Sequence, residues 1–78
     1  ERSRLKAKVE QLMSELSPGQ KEAVYLRYMQ EMSYEEIARL LNITPESARK
    51  NVFRAVNKMR LAAKKNPGLI AILLLFQI

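Results

Sequence analysis

Arg49, Lys50, Arg54, Lys58, Arg60, Lys64 and Lys65 crowd into seventeen residues, and residues 45–78 set only Glu46 against them. Residues 1–44 hold seven basic and seven acidic groups, which cancel, so this one segment carries the whole formal net charge of +6. Cations packed this closely bind anions. On a helix they make an electrostatic footprint for nucleic acid or for an anionic membrane surface. The plainer alternative is a solvated helix end whose Lys and Arg complement the helix dipole.

Other chemistry is excluded by what the chain lacks. It has no His and no Cys, hence no structural zinc site, no disulfide, no thiol nucleophile and no imidazole base. The missing disulfides fit a reducing, cytoplasmic setting. With two glycines in all, a Gly-rich phosphate loop cannot be written. The adjacent carboxylates Glu35 and Glu36 point apart on a helix surface and imply no acid–base pocket. The expectation is a protein that is not an enzyme and uses no cofactor or metal. At 78 residues it is one small domain at most. Its apolar residues, mainly Leu, Ile, Val, Met and Ala, suit a helical core worth about 3–5 kcal/mol.

The elements that must hold the basic segment are clearly punctuated. Leu5, Val9, Leu12, Met13 and Leu16 form one stripe of a helix over Arg4–Leu16. Ser17-Pro18-Gly19-Gln20 supplies a cap, a first-turn proline and a closing Gln for a second helix running to about Gln30. That helix offers Ala23, Val24, Leu26, Tyr28 and Met29 for packing. Ser33 and Glu36 repeat the box before a short third helix, Tyr34 to Leu41, which Asn42 ends in a left-handed conformation. Thr44-Pro45-Glu46 starts a fourth helix reaching about Lys64, and Asn66-Pro67-Gly68 breaks it. The expected fold is all-α, a four-helix domain containing a helix-turn-helix at about 34–60, of the winged-helix-like or three-helical DNA-binding type. It is divided into residues 1–66 and an apolar C-terminal tail, 67–78.

The third and fourth helices are separated by about three residues, the spacing of a helix-turn-helix. Ala38 lets them cross closely, Ile43 fills the space under the turn, and Ala48, Val52, Val56 and Met59 face inward. Rotating about 100° per residue from that stripe brings Arg49, Lys50, Phe53, Arg54 and Asn57 outward. One face is buried and the other is basic, as a DNA-reading helix requires.

These residues resemble a known family. Leu16 through Tyr28 is similar to the opening of region 4 of bacterial sigma factors. Met32-Ser33-Tyr34-Glu35-Glu36-Ile37-Ala38, followed by Leu41-Asn42-Ile43-Thr44, is similar to its helix-turn-helix, and Arg49 through Arg60 to its recognition helix. The resemblance is to the sigma-70 family, most of all the extracytoplasmic-function class, over about residues 5–61. Asn42 stands where the family often has Gly, Ala48 where it usually has Val, and Asn51 where it often has a basic residue. The chain opens at Glu1 and shows no promoter-melting region, so a piece of a larger factor is expected. The resemblance implies recognition of the minus-35 element of double-stranded promoter DNA within RNA polymerase holoenzyme, docking on the flap of the polymerase β subunit, and an anti-sigma factor as a further partner. Under that reading Arg49 and Arg54 fork onto guanine O6 and N7, with Lys50 less rigidly. Ser47 reaches a base or phosphate, Phe53 meets a thymine methyl, and Lys58, Lys64 and Arg27 hold phosphates or stay solvated.

Two other readings compete. One is a response-regulator-type output domain, which Gln30-Glu31-Met32 fits poorly. The other is an interaction module acting through Leu69–Ile78. That tail is too short to span a bilayer, which needs about 20 residues, and if left bare it is an apolar patch. It is expected to be ordered and helical after Pro67-Gly68, with a strand as the alternative, and to favour a homodimer through the tail.

Overall fold

A computed structural model describes residues 2–74. Its helices begin where side chains cap them. Ser17 Oγ accepts the Gln20 N–H at 3.2 Å while the Ser17 N–H donates to Gln20 Oε1 at 3.1 Å, opening α2, Pro18–Val24. Ser33 and Glu36 exchange the same pair of bonds at 3.1 and 2.8 Å ahead of α3, Tyr34–Leu41. Thr44 Oγ1 accepts the Ser47 N–H at 3.0 Å at the start of α4, Pro45–Lys65. Each such cap stabilises its helix by about 1 kcal/mol. The first helix, α1, is Arg2–Leu12.

Two elements depart from the sequence expectation. α1 stops at Leu12 rather than Leu16. The Ser14 N–H and hydroxyl both donate to the Gln11 carbonyl, at 3.3 and 2.9 Å, which tightens the chain into a turn. Leu16 is buried all the same, because the turn aims it back at the core. The second helix also fails to run unbroken to Gln30. After Val24 it widens into a π-helical turn, Tyr25–Met29, closed by Gln30 N–H to the Tyr25 carbonyl at 3.2 Å. The extra residue buries Leu26 and brings Tyr28 partly inward, while Met29, expected to pack, is exposed.

α4 is the spine, and its inner face serves three neighbours in turn. Ala48 meets Leu26, Ile37 and Ala38 near the turn. Val52 and Val56 pack with Ala23 of α2. Ala55, Met59 and Ala63 join Leu12, Leu16, Val24, Leu69 and Ile72. The buried stripe is thus the expected one widened by Ala55 and Ala63.

The break after α4 is built on Asn66, whose Oδ1 accepts the Gly68 N–H at 3.2 Å. A 3-10 turn, Pro67–Leu69, leads into α5, Ile70–Leu74. Leu69 and Ile72 lie in the same core cluster as Leu12 and Met59, so this part of the tail packs on the domain's own α1 and α4. The expectation of order for residues 75–78 falls outside the described residues. Among the described residues there is no strand, and no helix is long and apolar enough to cross a membrane.

Candidate nucleic-acid interface

Three residues connect α3 to α4. Asn42 takes φ 58° and ψ 48°, the left-handed turn that Asn tolerates, and the Ile43 N–H returns to the Ala38 carbonyl at 2.9 Å. This closure lets Ala38 and Ala48 share one buried cluster, so the two helices approach with little side chain between them. A larger residue at either position would separate them.

With that face buried, the opposite face of α4 is open. Ser47, Arg49, Lys50, Phe53, Arg54 and Asn57 are all exposed, Phe53 by 62%. Lys50 Nζ lies 3.7 Å from Glu46, one helical turn back. Exposed pairs of this kind contribute about 0.3–0.5 kcal/mol, so Lys50 is held only lightly. Ser47 is tied into the cap, its Oγ accepting from Thr44 Oγ1 at 3.0 Å. Its own hydroxyl hydrogen remains available to donate.

Lys58 is placed differently. It lies about 140° around the helix from Phe53. Its ammonium donates to Gln20 Oε1 at 3.0 Å and to the Glu15 carbonyl at 3.3 Å, fastening α4 to the corner between α1 and α2. Arg27, read from the sequence as solvated or phosphate-holding, is also engaged. It donates to the Met32 carbonyl at 2.9 Å and lies 4.5 Å from the centre of the Tyr34 ring. It thereby locks the loop between the π-turn and α3.

The start of α3 is not a free anion site. Its capping box already uses the Glu36 N–H. Glu36 stays charged further into acid than an ordinary carboxyl, because it accepts the Ser33 N–H and lies against the Ser33 side chain. That negative charge opposes a phosphate arriving there.

Sequence reasoning missed a cleft. Tyr28, Tyr34, Arg49, Val52, Phe53, Val56 and Arg60 line a space of about 410 Å³ beside the open face of α4. The only early signal was the spacing of Arg49, Phe53, Val56 and Arg60 at helical intervals; the tyrosine wall depends on the π-turn.

Comparison with known protein families matches residues 6–59 to Sigma-70, region 4. No curated protein and no solved structure matches the chain.

Proposed function

The chain belongs to the sigma-70, region 4 family, whose members bind promoter DNA in transcription initiation as part of a sigma factor associated with the RNA polymerase core, and from that premise we propose that its α4 reads the minus-35 element. One observation carries the proposal: Arg49, Lys50, Phe53 and Arg54 stand exposed on one face of a helix whose other face is locked against α3. The N-terminal part of such a helix enters the major groove. There Arg49 and Arg54 take guanine O6 and N7, Lys50 supports them, and Phe53 lies against a thymine methyl. Ser47 donates to a phosphate or base edge at the groove's rim. Lys58 acts from behind as a brace, and any phosphate contact it makes costs it the bonds to Gln20 and Glu15.

An extracytoplasmic-function origin, cytoplasmic action, docking on the β-subunit flap and control by an anti-sigma factor belong to the same reading. Leu5, Ile70 and Leu74 stay exposed around the α1 and α5 end, and they support a protein contact there, including a homodimer. Light scattering on the full chain tests the dimer.

The central test is binding of the chain to duplexes carrying minus-35-like and scrambled sequences. Affinity is expected to fall steeply with salt as counterions are released, with a preference for the minus-35-like duplex. A folded chain that binds neither duplex at low salt overturns the reading.

A further inference from the structure

The last helix is apolar all round, yet only part of it is covered. Leu69 and Ile72 turn into the core with Leu12 and Met59, while Ile70 and Leu74, four residues apart, are 47% and 62% exposed. A helix without a polar face belongs in an apolar setting on every side. In sequence the run continues through Leu75, Phe76 and Ile78, and Gln77 is the one polar residue from Leu69 onward. Cations border this end of the domain. α1 packs on both the 3-10 turn and α5, and its Arg4, Leu5 and Lys8 line a small recess of about 190 Å³ with Ile72. Lys64 and Lys65, both exposed, close α4 just before the turn. Neither residues 2–9 nor residues 66–78 contain an acid. Glu10 lies about 140° round α1 from Leu5, in a groove with Met13 and Lys21. Arg4, Leu5, Lys64, Lys65, Ile70 and Leu74 all fall outside the residues, 6–59, that match the sigma-70 family.

We infer that this end of the domain docks on the surface of an anionic lipid bilayer, with Leu5, Ile70 and Leu74 entering the acyl boundary and Arg4, Lys8, Lys64 and Lys65 meeting the headgroups. Stable attachment to a membrane surface takes two signals, apolar insertion and a polybasic rim, and this end carries both. α5 lies on the bilayer and does not cross it, since no helix among the described residues is long and apolar enough to span one. A second copy of the chain fits less well. A two-fold interface sets a surface against itself, so the cations of one copy would face those of the other, whereas anionic headgroups attract them. A partner helix needs a groove for its anchors, but Ile70 and Leu74 stand outward and the recess at Ile72 is small. Ten residues, about 15 Å along α4, separate Arg54 from Lys64. Bilayer and DNA therefore meet different ends of one helix.

Cosedimentation of the full chain with vesicles tests this, using phosphatidylcholine alone and phosphatidylcholine mixed one to one with phosphatidylglycerol. Wild type is expected to pellet with the mixed vesicles, to stay in solution with phosphatidylcholine alone, and to be released as salt rises. Ile70→Gln combined with Leu74→Gln changes exposed side chains, and thermal melting confirms the fold. This variant is expected to weaken vesicle binding by about tenfold or more and to leave duplex affinity unchanged. Lys64→Gln combined with Lys65→Gln is expected to weaken vesicle binding about fivefold for each charge removed. If folded wild type ignores both kinds of vesicle, or if the Ile70 and Leu74 variant pellets as wild type does, the inference falls. A loss with Arg54→Ala as large as with these variants overturns it in favour of the DNA-reading face. A dimer in light scattering that Ile70→Gln with Leu74→Gln splits, without vesicle binding, overturns it in favour of a second copy. Capture of the polymerase core that these variants lose, again without vesicle binding, overturns it in favour of a protein partner.

Discussion

The two halves of α4 are buried by different means. Near the turn, Ala48 packs on Ala38 and Ile37, which arrive from α3 after three intervening residues. About three and four turns further on, Met59 and Ala63 are covered by Leu12 and Leu16 from the chain's beginning and by Leu69 and Ile72 from its end. The first half uses small residues and a short connection, so its geometry is set locally. The second uses bulky side chains brought together from remote segments, which costs more chain entropy to close. Precision is concentrated beside the face proposed to read DNA, and apolar mass where the domain is held shut.

If that division is right, the largest effect comes from removing the mass. Ending the chain at Asn66 strips Leu69 and Ile72 from the core. At about 1.5–3 kcal/mol for each large apolar side chain, the loss rivals the whole stability of a domain this size. Thermal melting followed by circular dichroism is expected to show a large drop or no folded state at all. An unchanged melting temperature would erase the distinction between the halves.

Arg54→Ala probes the other half. It is expected to leave melting unchanged and to cost about 1–3 kcal/mol of discrimination between minus-35-like and scrambled duplexes. Competition titrations check this, and equal losses on both duplexes would move Arg54 to the phosphate-holding group. Ser33→Ala removes the cap that starts α3 and is expected to lower stability by about 1 kcal/mol, read by denaturant melting.

Lys58→Ala sharpens the boundary. Its bonds join α4 to the α1–α2 corner, so a small loss of stability is expected, with duplex affinity changing less than for Arg54→Ala. The smallest effect is that of acid. The Glu36 pKa is lowered in the folded chain, so its contribution is present above the ordinary carboxyl value of 4.5 and disappears as pH falls through the lowered one. Glu36→Gln preserves the capping bond and is expected to flatten that part of the stability–pH curve.

What could be read in advance divides along the same line. Ser17, Ser33, Asn42 and Thr44 act on neighbours three or four residues away, so sequence spacing located them, and the bounds of α3 were expected to the residue. The outward face of α4 followed from periodicity. The role of Lys58 did not, because its partner carbonyl is 43 positions away. The early end of α1 depends on one serine hydroxyl competing for a backbone carbonyl. The cleft depends on Tyr28, whose direction is set by an additional residue in a helical turn, and periodicity assumes that no such residue is there.

That turn, Tyr25–Met29, makes the segment more sensitive to how it winds than to its composition. A π-turn is an α-helix with one residue wound in. Wound as regular α-helix with no residue removed, the same segment would swing everything beyond it by about 100°. Leu26 would leave its place against Ile37 and Ala38, Arg27 would no longer reach the Met32 carbonyl, and α3 would be delivered to α4 on the wrong heading. Exchanging Met29, which is exposed, for another straight-chain residue does none of this. The domain therefore depends on the wide turn at this point, and a change that winds it as regular helix keeps every outward-facing side chain of α4 in the sequence while losing the angle between the two helices that presents them.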